Sequence, residues 1–87
     1  MSDATPDTGV RAVVEVLAKA LVDRPDAVRV VESQHRHMTL VELFVPAQEI
    51  AKVIGRQGRT AAALRTLASS AGEREGKTVT LEIRESR

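Results

Sequence analysis

The chain has 87 residues, 43% apolar and 29% charged, a composition that suits one globular domain and excludes two. Cysteine is absent, which excludes a disulfide framework or a thiolate metal site, and no apolar run approaches the roughly 20 residues that cross a bilayer. The formal net charge of +1 gives no support to a polyanion partner until its distribution along the chain is considered.

Residues 1–8 (MSDATPDT) are polar and aperiodic and read as a flexible tail, and residues 9–85 read as one domain. The tail carries two acids and no basic side chain, which argues against a secretory signal and points to a cytoplasmic address. Asp7 or Thr8 is placed to cap the helix that follows. From residue 9 to about 23, Val10, Val13, Val14, Leu17 and Leu21 recur at helical spacing, while Arg11, Glu15 and Lys19 lie off that stripe. Arg24-Pro25-Asp26 stops the helix, because proline disfavours helical geometry in the residue before it. Residues 27–33 (AVRVVES) form a β-branched strand with Val28 and Val30 on one face, and residues 34–37 form the turn. Residues 38–45 (MTLVELFV) resume the extended pattern, with Val41, Leu43 and Val45 on one face and Leu40, Glu42 and Phe44 on the other.

Pro46 opens a short helix over 47–54 that points Ile50, Val53 and Ile54 inward. Gly55 and Gly58 bracket a break. A second helical stretch runs from about 59 to 71, with Ala61, Leu64, Leu67, Ala68 and Ala71 as its buried stripe and Gly72 as its terminator. Residues 77–84 (KTVTLEIR) alternate, with Val79, Leu81 and Ile83 in and Thr78, Thr80, Glu82 and Arg84 out. The expected fold is therefore α+β in the order α-β-β-α-α-β, a two-layer sandwich of a three-stranded sheet with three helices on one face.

The turn Gly55-Arg56-Gln57-Gly58 is the feature with chemical content. Glycines three apart let the backbone turn sharply and lie close to a ligand. The helix that follows offers free N–H groups and a positive dipole end, both favourable to a phosphate, and Arg56 and Gln57 project from the tip. No acid occurs between Glu49 and Glu73, whereas Lys52, Arg56, Arg59 and Arg65 all fall there, so a mildly acidic body carries one basic segment. A plain helix corner and a solvated helix face are the structural alternatives to an anion clamp. His35 and His37 lack a third ligand of suitable spacing, so no metal site is expected, and the Gly-Lys-Ser/Thr ending of a P-loop is missing. No nucleophile, base and acid combination suggests catalysis. Leu40, Phe44 and Val31 are candidates for a partner surface on the outer sheet face.

Val53-Ile54-Gly55-Arg56-Gln57-Gly58-Arg59, together with Pro25-Asp26 and Ala63-Leu64-Arg65-Thr66, resembles the small bacterial KhpA family of type II KH proteins over about residues 10–84. The resemblance implies an RNA-binding protein, with no catalytic residue, metal or cofactor, whose Gly-x-x-Gly loop grips about four nucleotides of single-stranded RNA. It assigns backbone approach to Gly55 and Gly58, phosphate or sugar contact to Arg56 and Gln57, and a wider positive field to Lys52, Arg59 and Arg65. Ile50, Val53, Ile54 and Leu64 are the apolar candidates for a base groove, with Ile54 chosen as a binding residue, and all four are also ordinary core candidates. The single aromatic, Phe44, provides no stacking platform of the kind other RNA modules use. Three positions depart from the family pattern: Arg56 where Lys is usual, Thr60 where an aliphatic residue is usual, and Ala62 where Lys is frequent. Thr60 implies looser packing beneath the loop, and Ala62 one phosphate contact fewer.

The resemblance further implies a homodimer, pairing with a larger KH-containing RNA-binding protein (KhpB-like), and no membrane partner. It points to an RNA chaperone or post-transcriptional regulator linked to cell division and cell shape. The alternatives are a protein-interaction adaptor with residual RNA binding and a single-stranded DNA binder, since phosphate contacts do not distinguish the sugars.

Overall fold

The computed structural model describes residues 9–86. The expected tail over residues 1–8, with its capping Asp7 or Thr8, lies outside the described residues. Helix α1 spans Val10–Leu21, strand β1 Arg29–Gln34, β2 Thr39–Val45, helix α2 Ile50–Ile54, α3 Arg59–Glu73 and strand β3 Val79–Glu85. Short 3-10 turns at Pro25–Ala27, Ala47–Glu49 and Arg56–Gly58 join them. The order matches the α-β-β-α-α-β expectation. Strand β2 is central, antiparallel to β1 and parallel to β3, with Val41 opposite Glu32 on one side and Leu81 on the other.

The alternation in β2 produces the core directly. Val41, Leu43 and Val45 are fully buried, whereas Leu40, Glu42 and Phe44 on the other face are half-buried. Val10, Val14 and Ala18 of α1, Val53 of α2, and Leu64 and Ala68 of α3 close over that inner face with Val22, Val28 and Leu81. On the outer face Arg84 bonds Glu42 at 2.8 Å and also Glu82.

Several boundaries differ from the sequence expectation. Helix α1 begins after Gly9, which offers no side-chain cap, and ends at Leu21, because Val22 is already extended with ψ 162°. Ala18 and Val22, rather than Leu21, complete its buried face; Leu21 is 38% exposed. In α3 the buried positions are Ala61, Leu64, Ala68 and Gly72, and Leu67 is 47% exposed. Apart from Leu64, the inward line of α3 is built from small residues, so that it can lie close to the sheet. Leu67, about 100° of helix rotation from Ala68, falls on the flank.

Gly72 is not the terminator. The helix continues to Glu73, and a Cβ on Gly72 would strike the Val79 side chain and stand 3.2 Å from the Lys77 carbonyl oxygen. Gly72 is therefore a packing glycine between α3 and β3. Gly76 closes the helix instead, with φ 70°, its N–H donating to Glu73 and the Lys77 N–H donating to the Gly72 carbonyl at 2.9 Å. That pair of bonds satisfies carbonyls that the last turn leaves free. The remaining strands begin two residues later than expected, β1 because Pro25–Ala27 forms a 3-10 turn and β3 because this closing turn extends to Gly76.

Candidate nucleic-acid interface

The loop between α2 and α3 has a backbone that few sequences tolerate. Gly55 stands at φ 76° and ψ 172°, a region open essentially to glycine alone. Gln57 follows at φ 57° and ψ 24°, and Gly58 at φ 75° and ψ 13°, both left-handed. The Gly55 N–H donates to the Ala51 carbonyl at 2.9 Å, closing α2, and the Gly58 N–H donates to the Gly55 carbonyl at 3.1 Å, closing the turn.

The two glycines have different reasons. A Cβ on Gly55 would lie 2.6 Å from the Thr60 Cβ and 3.0 Å from its backbone nitrogen, so α3 starts directly against this residue. A Cβ on Gly58 would meet nothing, so only its left-handed φ calls for glycine. Thr60 fills the space beneath Gly55, so the departure from an aliphatic residue leaves this contact close.

Beyond the loop, no side chain caps α3 and no acid occupies its first turn. The helix is 15 residues long, about 22 Å, and presents the positive end of its dipole at the loop. Its first N–H, that of Arg59, donates to the Arg56 carbonyl, so only the N–H groups after it lack a helical acceptor. Arg56, Gln57 and Arg59 are exposed around that end. Arg59 Nη2 donates to Gln57 Oε1 at 3.1 Å, which steadies the tip. Arg56 makes no ion pair or side-chain hydrogen bond among the described residues, so its guanidinium is available to an anion.

The structure sorts the sequence-selected residues into three groups. Gly55, Arg56, Gln57, Gly58 and Arg59 form one contiguous surface. Ile54 adjoins it, half-buried and outside the core cluster, whereas Val53 and Leu64 belong to the core and Ile50 packs against it. Ile54 is thus the apolar residue beside the loop that remains accessible. Arg65 is exposed but lies six residues beyond Arg59, about 9 Å along the helix and about 120° around it.

Lys52 is the third case. Its ammonium bonds Asp23 at 3.1 Å and Glu49 at 3.1 Å, and these two carboxylates, through hydrogen bonds first and charge second, raise its pKa against partial desolvation. It is a paired lysine rather than a free phosphate ligand.

Glu49 is the residue that sequence reasoning missed. It is 2% exposed, and its carboxylate accepts the Asp23 N–H at 3.2 Å, the Arg24 N–H at 2.8 Å and the Lys52 ammonium. Burial works against its charge, but the Asp23 N–H, the Lys52 ammonium and the Arg24 N–H outweigh it and hold the pKa below the ordinary glutamate value. The Glu49/Lys52 spacing of three was the only available signal, because the two N–H donors lie about 25 residues earlier in sequence. His35 and His37 are both exposed, and among the described residues no group of three metal-ligating side chains gathers. Among the described residues no helix is long and apolar enough to cross a membrane.

The family model "KhpA/KhpB, KH domain" matches residues 11–83. The chain belongs to the KhpA/KhpB KH-domain family. It is similar to the RNA-binding protein KhpA of Aquifex aeolicus, 46% identical over 78 residues that cover 90% of this chain and 99% of that protein. It is also similar to the RNA-binding protein KhpA of Caldanaerobacter subterraneus subsp. tengcongensis, 49% identical over 70 residues covering 80% and 93% of the two chains. Among solved structures, Era in complex with MgGDPNP and nucleotides 1506–1542 of 16S ribosomal RNA matches with a TM-score of 0.66 at 19% identity, over 87% of this chain and 29% of Era. The chain thus spans less than a third of that Era chain, and the likeness bears on fold alone.

Two outcomes follow from the loop and from Glu49. Gly55→Ala is expected to cost about 2–4 kcal/mol and Gly58→Ala only about 1 kcal/mol, because the first adds a backbone collision to an unfavourable φ. Equal costs in urea unfolding would refute the Thr60 contact. The lowered pKa of Glu49 means that its charge stabilises the fold fully above the ordinary glutamate pKa of about 4.3, and that this contribution is lost as pH falls through the lower folded-state value. The urea midpoints of the wild type and Glu49→Gln are therefore expected to differ at pH 7 and to converge in acid.

Proposed function

We propose that this protein binds single-stranded RNA by clamping the sugar–phosphate backbone at Gly55-Arg56-Gln57-Gly58, and that it does so without catalysis. The observation that carries this reading is the loop backbone itself. A run of left-handed and glycine-only conformations sits at an uncapped helix N-terminus, with Arg56 free beside it. Such a run has a local cost, of order 1–3 kcal/mol at a non-glycine position such as Gln57, and strained backbone of this kind is concentrated where ligands are held. Gly58, with open space where a side chain would stand, admits the phosphate close to the chain, while Gly55 lets α3 start against the loop. The α3 dipole favours the anion, and Arg56, Gln57 and Arg59 reach its oxygens. Ile54 supplies the apolar floor for a base next to the clamp. Membership of a family whose relatives are named RNA-binding proteins supports RNA over other polyanions.

The cellular role that suits this activity is that of a cytoplasmic RNA chaperone or post-transcriptional regulator, in processes linked to cell division and cell shape. A homodimer, and a heteromer with a larger KH-containing protein of the KhpB kind, belong to the same proposal. Val16 and Leu67, 67% and 47% exposed on α1 and α3, are apolar area consistent with such association. Linking two weak sites raises avidity with no new RNA contact.

Replacing Arg56 and Gln57 by Asp in a folded protein is expected to abolish binding of a single-stranded RNA probe while circular dichroism is unchanged. For the wild type, log affinity should fall with log salt at a slope of about −3, from about four engaged phosphates. Unchanged RNA affinity in the double variant removes the clamp assignment. Tighter binding of the matching DNA favours the DNA reading, and no nucleic-acid binding by the wild type favours the adaptor reading.

A further inference from the structure

Helix α2 has five residues, too few to be stable by its own hydrogen bonds, yet it sets the angle from which the loop leaves the domain. Val53 anchors one of its sides in the core. At its start the 3-10 turn Ala47–Glu49 closes with the Glu49 N–H on the Pro46 carbonyl at 2.8 Å, and the buried Glu49 carboxylate reaches across to the end of α1. There it receives the N–H groups of Asp23 and Arg24, at 3.2 and 2.8 Å, just where α1 stops and its connection to β1 begins. Lys52, one turn further along α2, bonds both Glu49 and Asp23 at 3.1 Å and so closes a ring over the same junction. Ala51, between these two residues, is the acceptor for the Gly55 N–H at 2.9 Å. The ring and the loop therefore share one turn of backbone.

We propose that Glu49 is a positioning residue for the RNA-binding loop, and that Lys52 acts through Glu49 and Asp23 rather than by touching RNA. The buried carboxylate pins the first turn of α2 to the α1–β1 connection, which fixes the Ala51 carbonyl and hence the orientation of Gly55 to Gly58. This assignment rests on the RNA-clamp reading for its importance, but the mechanical link holds whether or not RNA is bound. The basic side chain nearest the loop on α2, though exposed at the surface, is thereby held in ion pairs with Asp23 and Glu49, leaving Arg56 and Arg59 as the cations at the clamp. The buried position of Glu49 explains how an acid is tolerated at the edge of an anion site: its charge is compensated by two backbone N–H groups and an ammonium.

Two readouts on the full-length protein test the proposal, using Glu49→Gln, Lys52→Met and, as the direct-contact reference, Arg56→Met. The first is amide hydrogen exchange without RNA. Exchange at Gly55 is expected to accelerate about three- to thirtyfold in Glu49→Gln and in Lys52→Met, with Ala68 and Leu81 unchanged. Uniform acceleration at all three amides would mean a general stabilising role and overturn the proposal, as would an unchanged Gly55. The second is affinity for a labelled single-stranded RNA dodecamer across a salt series. Arg56→Met should lower the magnitude of the log–log slope by about 0.7, one phosphate contact, whereas Lys52→Met weakens binding at an unaltered slope. A slope change in Lys52→Met equal to that in Arg56→Met would show direct phosphate contact and refute the assignment of Lys52. Failure of the wild type to bind the dodecamer would instead strike the RNA reading, and the Gly55 exchange result would still decide the positioning role.

Discussion

The close contact between Gly55 and the start of α3 is the constraint on which the rest of the structure depends. With the Thr60 Cβ only 2.6 Å from where a Gly55 Cβ would stand, α2 and α3 can meet at this angle only over a residue without a side chain. The φ of 76° and ψ of 172° at Gly55 restate the same demand in backbone terms. Once this corner is set, the chain must reverse within the three residues to Gly58, and it does so through left-handed Gln57 and Gly58. The reversal leaves α3 without a capping side chain. The positive end of its dipole lies at the loop beside the exposed Arg56, so the turn that solves a packing problem also forms the surface proposed to hold a phosphate.

The cations around this corner divide into those without an ion pair among the described residues and one that is ion-paired. Arg56 and Arg59 stay exposed at the loop. Lys52, although within the same acid-free stretch of sequence, turns back to Asp23 and Glu49. The charge of the basic segment is thus smaller at the loop than its residue count implies. Glu49 bounds that segment in sequence but contributes no free negative charge to the surface, being buried and compensated. Under the proposed clamp, a phosphate would be held by the α3 dipole as well as by the two side-chain cations.

The sheet was legible in the sequence because a strand buried on one face has a period of two, and β2 and β3 carry it with large aliphatic residues. The helices were less so. The inner faces of α1 and α3 rely on Ala18, Ala61, Ala68 and Gly72, which carry little hydrophobic signal, while Leu21 and Leu67 sit on the flanks. A stripe drawn through the largest apolar residues is therefore rotated from the true one. Gly72 looked like a helix end because glycine has two uses, and only the nearness of Val79 distinguishes close packing from termination. The loop was legible as a motif only through its context, since two glycines three apart also make a plain helix corner; the acid-free segment and the sequence Val53 to Arg59 around them are what distinguish it. The buried state of Glu49 was not, because the groups that satisfy it come from a different part of the chain.

In the proposed mode of binding the loop backbone, not the outer sheet face, receives RNA. Titrating labelled protein with a single-stranded RNA dodecamer and following amide chemical shifts tests it most directly. The largest shifts are expected at the amides of Arg56, Gln57, Gly58, Arg59 and Thr60, with smaller ones at Ile54. Shifts concentrated instead on Arg29, Val31 and Phe44, with the loop amides unmoved, would contradict it.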